Sequence, residues 1–281
     1  MATVPTGSQQ NADRSVLHGS DGAPGHHGLL IVNADDWGRT PETTDRIAGC
    51  VGRGVVSSVS AMVFMEDSQR ASTLALDRGI EAGLHLNFTT PFSEVGCPPS
   101  LVAHQAALAR CLRRHRFAPV VFHPALRRSF AYVTAAQVDE FRRLYGREPD
   151  RFDGHHHMHL CTNVLAQGLL PRGTVVRRSF SFQSGEKSGL NRCYRRLVDG
   201  VLVRRHRIVD RFFSLVPLAP PDRLERIFSS ARRFVVEVEV HPVEAPEYRF
   251  LISEMSERAR DLRILPPSAV SWATRARVRG E

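Results

Sequence analysis

The sequence lacks any long apolar run, any closely spaced pair of cysteines and almost all lysine. Its 281 residues contain no stretch near the length of about 18 apolar residues that a membrane helix needs, so we expect no transmembrane segment. The five cysteines stand far apart without a CxxC motif, which argues against a disulfide framework and against a cysteine-ligated zinc site. We therefore expect reduced thiols and a cytoplasmic protein.

Lys187 is the only lysine, so arginine carries almost all of the positive charge. The 38 basic residues exceed the 29 acidic ones and give a net charge of +9 and a pI near 10.1. Runs of arginine are typical of a solvated surface, but arginine also suits bidentate binding of phosphate or carboxylate. Aromatic residues make up only 7% and no nucleic-acid recognition motif is present, so we expect no nucleic-acid partner.

Residues 1–28 are rich in Gly, Ser, His and Asp and lack the apolar core of a signal peptide. We predict that they form a disordered N-terminal extension. The hydrophobic and charged fractions, 42% and 24%, are those of a globular protein. Because no linker or internal repeat interrupts the rest of the chain, we predict a single domain over residues 29–281. Nothing in the sequence fixes the oligomeric state, and a homodimer stays an open alternative.

Strand-like and helix-like segments alternate along the chain. Thr40, Asp67 and Thr134 are predicted N-caps, and Gly79 and Gly146 are predicted to follow the ends of two helices. The predicted strands cover 29–34, 55–64, 80–88, 151–154, 174–177, 208–216 and 234–240. The predicted helices cover 41–54, 67–78, a segment from about 101, 134–145, 163–170, 190–206, 222–232 and 246–261. Repeated βα units predict an α/β fold with a parallel sheet, and seven strands fit an incomplete (βα) barrel.

Polar residues follow four of the predicted strands at their carboxyl ends, which meet at one mouth in a barrel. Asp35 and Asp36 follow the first strand, and His85 alternates with Leu84 and Leu86 in the third. Adjacent carboxylates are costly to hold together unless a cation, a proton or hydrogen bonds compensate them. Taken alone, the aspartate pair is equally typical of an Asx turn that begins a helix, and a lone histidine is typical of a core residue.

The histidine-rich segment after the fourth strand is the strongest single signal. His155, His157 and His159 would share one face of an extended chain, and His155 and His159 would share one face of a helical turn. Clustered imidazoles repel one another when protonated and are natural around a metal ion. A histidine-rich surface loop is the alternative interpretation.

His241 follows the seventh strand, in which Glu237 and Glu239 alternate with valines. We interpret the two glutamates as a polar face or as paired carboxylates. Together the four strand ends predict a mononuclear metal site with one carboxylate and two imidazoles, which leaves coordination positions open for water and substrate. The spare aspartate and the spare histidine suit a general base and a general acid.

Five segments, in order and spacing, resemble the YdjC-like (ChbG/HpnK) carbohydrate deacetylase family. They are LLIVNADDWG (29–38), GVVSSVSAMV (54–63), GLHLNFT (83–89), FDGHHHMHL (152–160) and VEVHP (238–242), and the resemblance covers residues 29–265. It implies a (βα) barrel-like fold related to the NodB-type polysaccharide deacetylases. It also implies metal-dependent removal of acetyl groups from an N-acetylated sugar or glycoconjugate.

By position in these motifs, the resemblance implies that Asp36, His85 and His155 are the metal ligands. The resemblance also implies that Asp35 is the general base. It implies that His241 is the histidine that protonates the leaving amine or stabilises the oxyanion. The implied cofactor is one divalent ion, Mg²⁺ or Zn²⁺, with Mn²⁺ or Co²⁺ as alternatives.

The chain departs from the family pattern in three places. Trp37 stands where Phe is usual, Arg151-Phe152 replaces His-Leu, and residues 177–211 do not look like the chitooligosaccharide enzymes. We expect this last region to shape the substrate site. Because it is rich in arginine, an alternative function is hydrolysis of a phosphate-bearing or lipid-linked acylated intermediate, or of a non-sugar amide, on the same metal site. A basic protein that binds nucleic acid or a membrane surface is the alternative from another class.

Overall fold

The computed structural model describes residues 28–182 and 186–272, so the predicted N-terminal extension lies outside them except for Gly28. Seven strands form one sheet: β1 (Leu29–Trp37), β2 (Ser58–Ala61), β3 (Ala82–Leu86), β4 (Arg151–Gly154), β5 (Val175–Val176), β6 (Arg211–Ser214) and β7 (Val235–Val240). The α-helices found in these ranges are α1 (Pro41–Gly52), α2 (Ser68–Arg78), α3 (Pro99–Leu112), α4 (Arg127–Tyr145), α5 (Thr162–Gln167), α6 (Gly189–Val203), α7 (Pro221–Ala231), α8 (Ala245–Ser253) and α9 (Met255–Arg258). Short 3-10 helices cover Ala118–Val120, Pro124–Leu126, His155–Leu160 and Pro267–Ala269.

The strands are ordered β5-β4-β3-β2-β1-β7-β6, and all neighbouring pairs are parallel. The two edge strands approach each other, because Val175 of β5 forms a parallel bridge with Arg207. Beyond β5, the backbone N–H of Ser181 donates to the carbonyl of Phe212 in β6 at 2.8 Å. The sheet is therefore a curled, seven-stranded and incomplete barrel, as the βα alternation predicts.

Successive strand residues face two different surroundings, as the period of two requires. On β1, Leu30 and Val32 belong to the main hydrophobic core, whereas Leu29 and Ile31 belong to a smaller apolar cluster. The next residue on the face of Leu29 and Ile31 is the buried Asn33. This inner face is thus apolar near the amino ends of the strands and polar towards their carboxyl ends, where the candidate site lies.

Helix ends follow the sequence signals only in part. The Thr40 hydroxyl accepts the Thr43 N–H at 3.2 Å, and Gly79 and Gly146 end helices in the left-handed conformation, as predicted. Asp67 precedes α2, but its carboxylate makes no capping hydrogen bond and instead binds Arg70. The N-cap at Thr134 is also wrong, because Thr134 is buried within α4.

Several other bounds differ from the predicted ones. Helix α4 begins at Arg127 because the buried Phe130 and Val133 extend its apolar face into the core, and such packing outweighs a capping preference. Strand β2 is shorter than the predicted 55–64, because the residues registered with β1 or β3 are those of Ser58–Ala61. The predicted helix over 246–261 is divided into α8 and α9.

All five cysteines are free, as their spacing predicts. Among residues 28–182 and 186–272, no helix is both long enough and apolar enough to cross a bilayer. These two observations agree with the absence of cysteine pairs and of long apolar runs in the sequence.

We predict that Phe141→Ala will lower the free energy of unfolding by about 3–5 kcal/mol, the usual cost of removing a buried ring. Phe141 lies in α4, is fully buried and stacks on Tyr145 with ring centroids 4.3 Å apart. Phe117→Ala is the matched control, because Phe117 is 56% exposed and the change should cost less than about 1 kcal/mol. Urea denaturation of both variants measures the difference, and equal losses would show that α4 does not pack on the core as described.

Candidate metal centre

A bulge in β1 brings two consecutive carboxylates to the same site. Ala34 pairs with Val59 and Trp37 with Ala61, so β1 has one more residue than β2 between the two pairs. Asp36 adopts a left-handed conformation, with φ at 66°, which is uncommon for an aspartate. In a regular strand Asp35 and Asp36 would point to opposite faces. The bulge and the positive φ allow both side chains to approach His85.

Asp36, His85 and His155 form a buried triangle of ligand atoms that all lie within 4.8 Å of one another. The Asp36 Oδ1 atom is 2.9 Å from His155 Nδ1 and 3.5 Å from His85 Nε2. This oxygen is buried and accepts no hydrogen bond of acceptable geometry, whereas Oδ2 accepts one from Arg39 at 2.8 Å. A buried carboxylate oxygen without a partner is costly. Its position between two imidazole nitrogens is what a divalent cation would satisfy.

The second nitrogen of His85 is held by Asp153. Its Nδ1 atom lies 2.8 Å from Asp153 Oδ1, which fixes the ring with Nε2 turned towards Asp36. Ser60 donates to Asp153 Oδ2 at 2.5 Å and so holds the carboxylate in turn. A histidine that ligates a metal usually has such a carboxylate on its other nitrogen. Burial lowers the pKa of His85, but the nearby carboxylates of Asp35 and Asp153 outweigh it and raise the pKa to about 10.

The histidine-rich segment forms neither of the two predicted geometries. His155–Leu160 is a 3-10 helix interrupted by left-handed residues at His156 and His157, with φ of 54° and 58°. At Gly154 a Cβ atom would lie 3.0 Å from the backbone nitrogen of His159, so the close return of the chain requires glycine here. The turn leaves His155 beside Asp36, with its ring 4.0 Å from the ring of His156 between centroids.

The remaining histidines of this segment have other partners. His159 is fully buried with Nε2 3.0 Å from the carbonyl of Arg177, and burial lowers its pKa to about 3, which keeps it neutral. His156 Nδ1 lies 2.9 Å from the Thr89 hydroxyl. His157 Nε2 lies 3.6 Å from Glu239 Oε2. None of these three is part of the triangle.

Arg177 joins four buried carboxylates beneath the triangle. Two of its nitrogens bind Asp35 in a bidentate pair of 2.6 and 2.7 Å. Its Nε lies 2.8 Å from Glu237, and its other nitrogens lie 3.3 Å from Glu239 and 3.0 Å from Asp153. Burial raises the pKa of Asp35, but Arg177 together with His85 outweighs it and lowers the pKa to about 2. Asp35 is therefore an oriented carboxylate that stays ionised.

The buried carboxylates of the site outnumber its buried arginines. Five buried carboxylates face only two buried arginines in the described barrel interior: Asp35, Asp36, Asp153, Glu237 and Glu239 against Arg151 and Arg177. Burial raises the pKa of Glu237, and the nearby Arg177 and Arg151 offset this rise only in part. The donor set of the triangle, one carboxylate oxygen and two imidazole nitrogens, fits a divalent ion.

A second group of potential ligands is less suitable. Asp35, His85 and Asp153 also approach one another within 4.8 Å. Both carboxylates of this group already bind Arg177, so a cation there would lie against a guanidinium. The unpartnered oxygen of Asp36 favours the first group.

His241 follows β7 and is held by Glu247 of α8. Its backbone N–H donates to Glu247 Oε2 at 2.8 Å, and its Nδ1 lies 3.7 Å from Oε1 of the same carboxylate. Burial lowers the pKa of His241, but Glu247 and then Asp35 outweigh it and raise the pKa to about 9. Its side chain is 30% exposed. His241 is thus a protonated, partly accessible histidine at neutral pH.

The sequence motifs indicated the three residues of the triangle but not the residues that support them. Asp153 and Arg177 were given no role, although both lie at predicted strand ends. The interpretation of Glu237 and Glu239 as a polar face is wrong, because both are buried and bind Arg177. The two glutamates alternate with valines in a strand that has no solvated face. This pattern indicates a buried ionic cluster.

Comparisons with known proteins identify the family of this chain. A family model described as YdjC-like protein matches residues 29–273, and the chain belongs to this family. A chitooligosaccharide deacetylase from Serratia marcescens is 34% identical over 172 residues, 56% of this chain and 64% of that protein. A carbohydrate deacetylase from Mus musculus is 30% identical over 158 residues, 53% of this chain and 49% of that protein. The chain therefore spans less than two thirds of the length of these curated relatives.

A solved structure shares the fold. It is a protein from Enterococcus faecalis V583 described as a candidate cellobiose-phosphate cleavage protein. The TM-score is 0.61 and the identity 20%, over 88% of this chain and 98% of that chain.

We predict that Arg177→Met will lower the free energy of unfolding by about 3–5 kcal/mol, because it leaves buried carboxylates without their cation. Arg70→Met is the matched control. Arg70 also binds two carboxylates, Asp67 and Asp45, but it is 47% exposed, so its loss should cost at most about 1 kcal/mol. Thermal and urea unfolding measure both variants, and a mild effect at Arg177 would contradict the ionic cluster.

Proposed function

We propose that this protein is a metal-dependent deacetylase that hydrolyses the acetamide of an N-acetylated carbohydrate or glycoconjugate. The observation that carries the proposal is the unpartnered Asp36 oxygen between His85 and His155, beside a carboxylate, Asp35, that Arg177 holds ionised. The names of the curated relatives, chitooligosaccharide deacetylase and carbohydrate deacetylase, support the same chemistry.

Asp36, His85 and His155 would hold the ion. Zinc suits two imidazoles and one carboxylate, and magnesium, manganese and cobalt are the alternatives. When bound, a divalent ion supplies a Lewis acid for the acetamide oxygen and makes water more acidic. Asp153 contributes by fixing the ring of His85, and its loss would leave that ligand free to rotate.

Asp35 would accept the proton of the attacking water. Its carboxylate cannot turn away, because Arg177 binds both of its oxygens, and Asn33 donates to Oδ1 as well at 2.8 Å. A pKa of about 2 keeps it ionised and ready to accept a proton throughout the neutral range. Fixed orientation compensates in part for the weak basicity that such a low pKa implies.

His241 would give a proton to the departing amine. Water adds to the acetyl carbon, the C–N bond breaks, and the amine leaves as the imidazolium of His241 transfers its proton. Acetate and the free amino sugar are the products. Glu247 keeps the histidine protonated before this step. Because Asp35 is ionised and His241 is protonated at the same pH, the two residues supply one proton acceptor and one proton donor.

Acetate release from a panel of N-acetylated sugars tests the proposal. The panel includes free, phosphorylated and lipid-linked forms, and the protein is reloaded with Zn²⁺, Mg²⁺, Mn²⁺ or Co²⁺. Asp36→Ala should lose both the bound metal and the release of acetate. Asp67→Ala, which removes a carboxylate that precedes α2 and lies outside the site, should keep both. Acetate release that survives in Asp36→Ala, or none with any sugar, would overturn the assignment.

We predict that Asp35→Asn will lower kcat/KM by about two to four orders of magnitude, the range for a lost acid–base group. Asparagine keeps the shape of the side chain and removes the proton acceptor. Metal content should stay at the level of the unaltered protein, because Asp35 does not belong to the triangle. Steady-state kinetics and elemental analysis measure the two effects, and near-full activity would show that another group accepts the proton.

We predict that kcat/KM will fall as the pH rises above about 9, where His241 loses its proton. The direction follows from the raised pKa, since the donor is protonated below this value and neutral above it. In Glu247→Gln the fall should move to lower pH by about one unit, because the amide keeps the hydrogen bond to the backbone but loses the charge. A fall at the same pH in both proteins would exclude His241 as the group that titrates.

A further inference from the structure

An exposed, strongly basic segment connects α3 to α4. Between Glu94 and Asp139 the sequence contains no acidic residue. The arginines of this stretch are all exposed and are Arg110, Arg113, Arg114, Arg116, Arg127 and Arg128. Among the described residues, none of these arginines forms an ion pair. Residues 113–128, here called the basic loop, therefore carry positive charge that the rest of the described chain does not compensate.

The basic loop also exposes four apolar side chains at its tip. Each is between 38% and 56% exposed, and they are Phe117, Val120, Val121 and Phe122. The tip is structured, because His123 Nε2 lies 2.9 Å from the carbonyl oxygen of Ala118 and closes the turn. Two short 3-10 helices lie within it. Exposed apolar residues grouped in this way mark a surface that binds a partner or a membrane.

Helix α6 exposes a second group of apolar residues. They recur at helical spacing and are Leu190, Tyr194, Leu197 and Val201. Leu190 is 83% and Leu197 66% exposed. Val198 and Leu202, on another face of the helix, are buried in the core. Helix α6 is therefore amphipathic in an unusual way, with one apolar face in the core and an apolar stripe that no described part of the chain covers.

Helix α5 lies between the basic loop and α6. The backbone N–H of His123 donates to Asn163 Oδ1 at 2.8 Å, and Asn163 Nδ2 donates to the carbonyl of His123 at 3.1 Å. On its other side, residues of α5 and α6 line one small cavity. Helix α5 begins at Thr162, just after the turn His155–Leu160. The two exposed apolar groups thus flank the helix that follows the histidine turn of the candidate metal centre.

We propose that the basic loop and the apolar stripe of α6 bind the surface of an anionic phospholipid bilayer. The apolar side chains enter the interface between headgroups and acyl chains. The guanidinium groups bind lipid phosphates, while their alkyl stems cover apolar surface. None of these residues belongs to the metal triangle or its supporting cluster, so the inference goes beyond the proposed function and does not depend on it.

Two other occupants fit this surface less well. A second copy of the chain would bring two acid-free, arginine-rich loops together, and like charges in contact repel one another. A nucleic acid would neutralise the arginines but would leave the aliphatic Val120, Val121 and Leu197 in water. An anionic bilayer satisfies both the charge and the apolar side chains.

Co-sedimentation of the full chain with vesicles tests the proposal. The vesicles contain phosphatidylcholine alone or an equimolar mixture with phosphatidylglycerol. Binding to the anionic vesicles should be stronger by at least about tenfold, because each arginine near an anionic surface contributes a factor of about five. For the same reason R113Q/R114Q should weaken binding by about 25-fold.

R142Q/R143Q is the matched control for charge. It also removes two exposed arginines, but these pair with Asp139 and Glu140 at the other end of α4. Binding to anionic vesicles should fall by less than about threefold, because charges farther from the surface than a Debye length are screened. Equal losses in the two double variants would overturn the proposal, and so would equally weak binding to neutral and anionic vesicles.

The apolar contact is tested separately. F117A/F122A should weaken binding to anionic vesicles by about tenfold, as expected when two partly buried rings are lost from the interface. Leu76→Ala, which removes a 57% exposed side chain from α2, should leave it unchanged. Brominated phosphatidylcholine in the anionic vesicles should quench the fluorescence of F117W more than that of L76W. Thermal unfolding shows whether each variant is folded.

The remaining outcomes identify another occupant. Binding that requires the arginines but not Phe117 and Phe122 would overturn the bilayer proposal in favour of a polyanion such as a nucleic acid. A dimer in sedimentation velocity that F117A/F122A abolishes, without vesicle binding, would overturn it in favour of a second copy. None of these measurements uses an acetylated sugar. A failure of the deacetylase assignment would therefore leave the vesicle result unchanged.

Discussion

The guanidinium of Arg177 holds the candidate site together, because it contacts Asp35, Asp153, Glu237 and Glu239 at distances of 2.6 to 3.3 Å. Burying four carboxylates in one barrel is costly without such a cation among them. The orientation of Asp35 depends on it directly. The orientation of His85 depends on it through Asp153. A single arginine at the end of β5 therefore links residues from β1, β4 and β7.

Beside this cluster one buried atom accepts no hydrogen bond. It is the Asp36 oxygen that faces two imidazoles. Three residues near this position have positive φ without being glycine: Asp36, His156 and His157. Such conformations cost free energy and persist where surrounding contacts enforce them, commonly at functional sites. Strained backbone and a buried carboxylate oxygen without a hydrogen bond coincide here, which is the arrangement expected of residues that would hold a divalent ion.

The alternation of strands and helices and the convergence of the triangle residues could be predicted because both depend on local patterns. β-branched runs and capping residues mark the βα units, and Asp36, His85 and His155 stand at strand ends that must converge. The role of Arg177 could not be predicted in this way, since its partners lie 24 to 142 residues away in the chain. The bulge at Asp36 and the left-handed turn after His155 also depend on tertiary contacts. They were missed for that reason, as was the extension of α4 before Thr134.

The most direct test of the central claim is an anomalous difference map from crystals of the metal-loaded protein, collected at the absorption edge of the bound metal. We expect a single peak bounded by Asp36 Oδ1, His85 Nε2 and His155 Nδ1, the three ligand atoms of the triangle. A peak between Asp35 and Asp153, or no peak in crystals soaked with each candidate metal, would contradict the account.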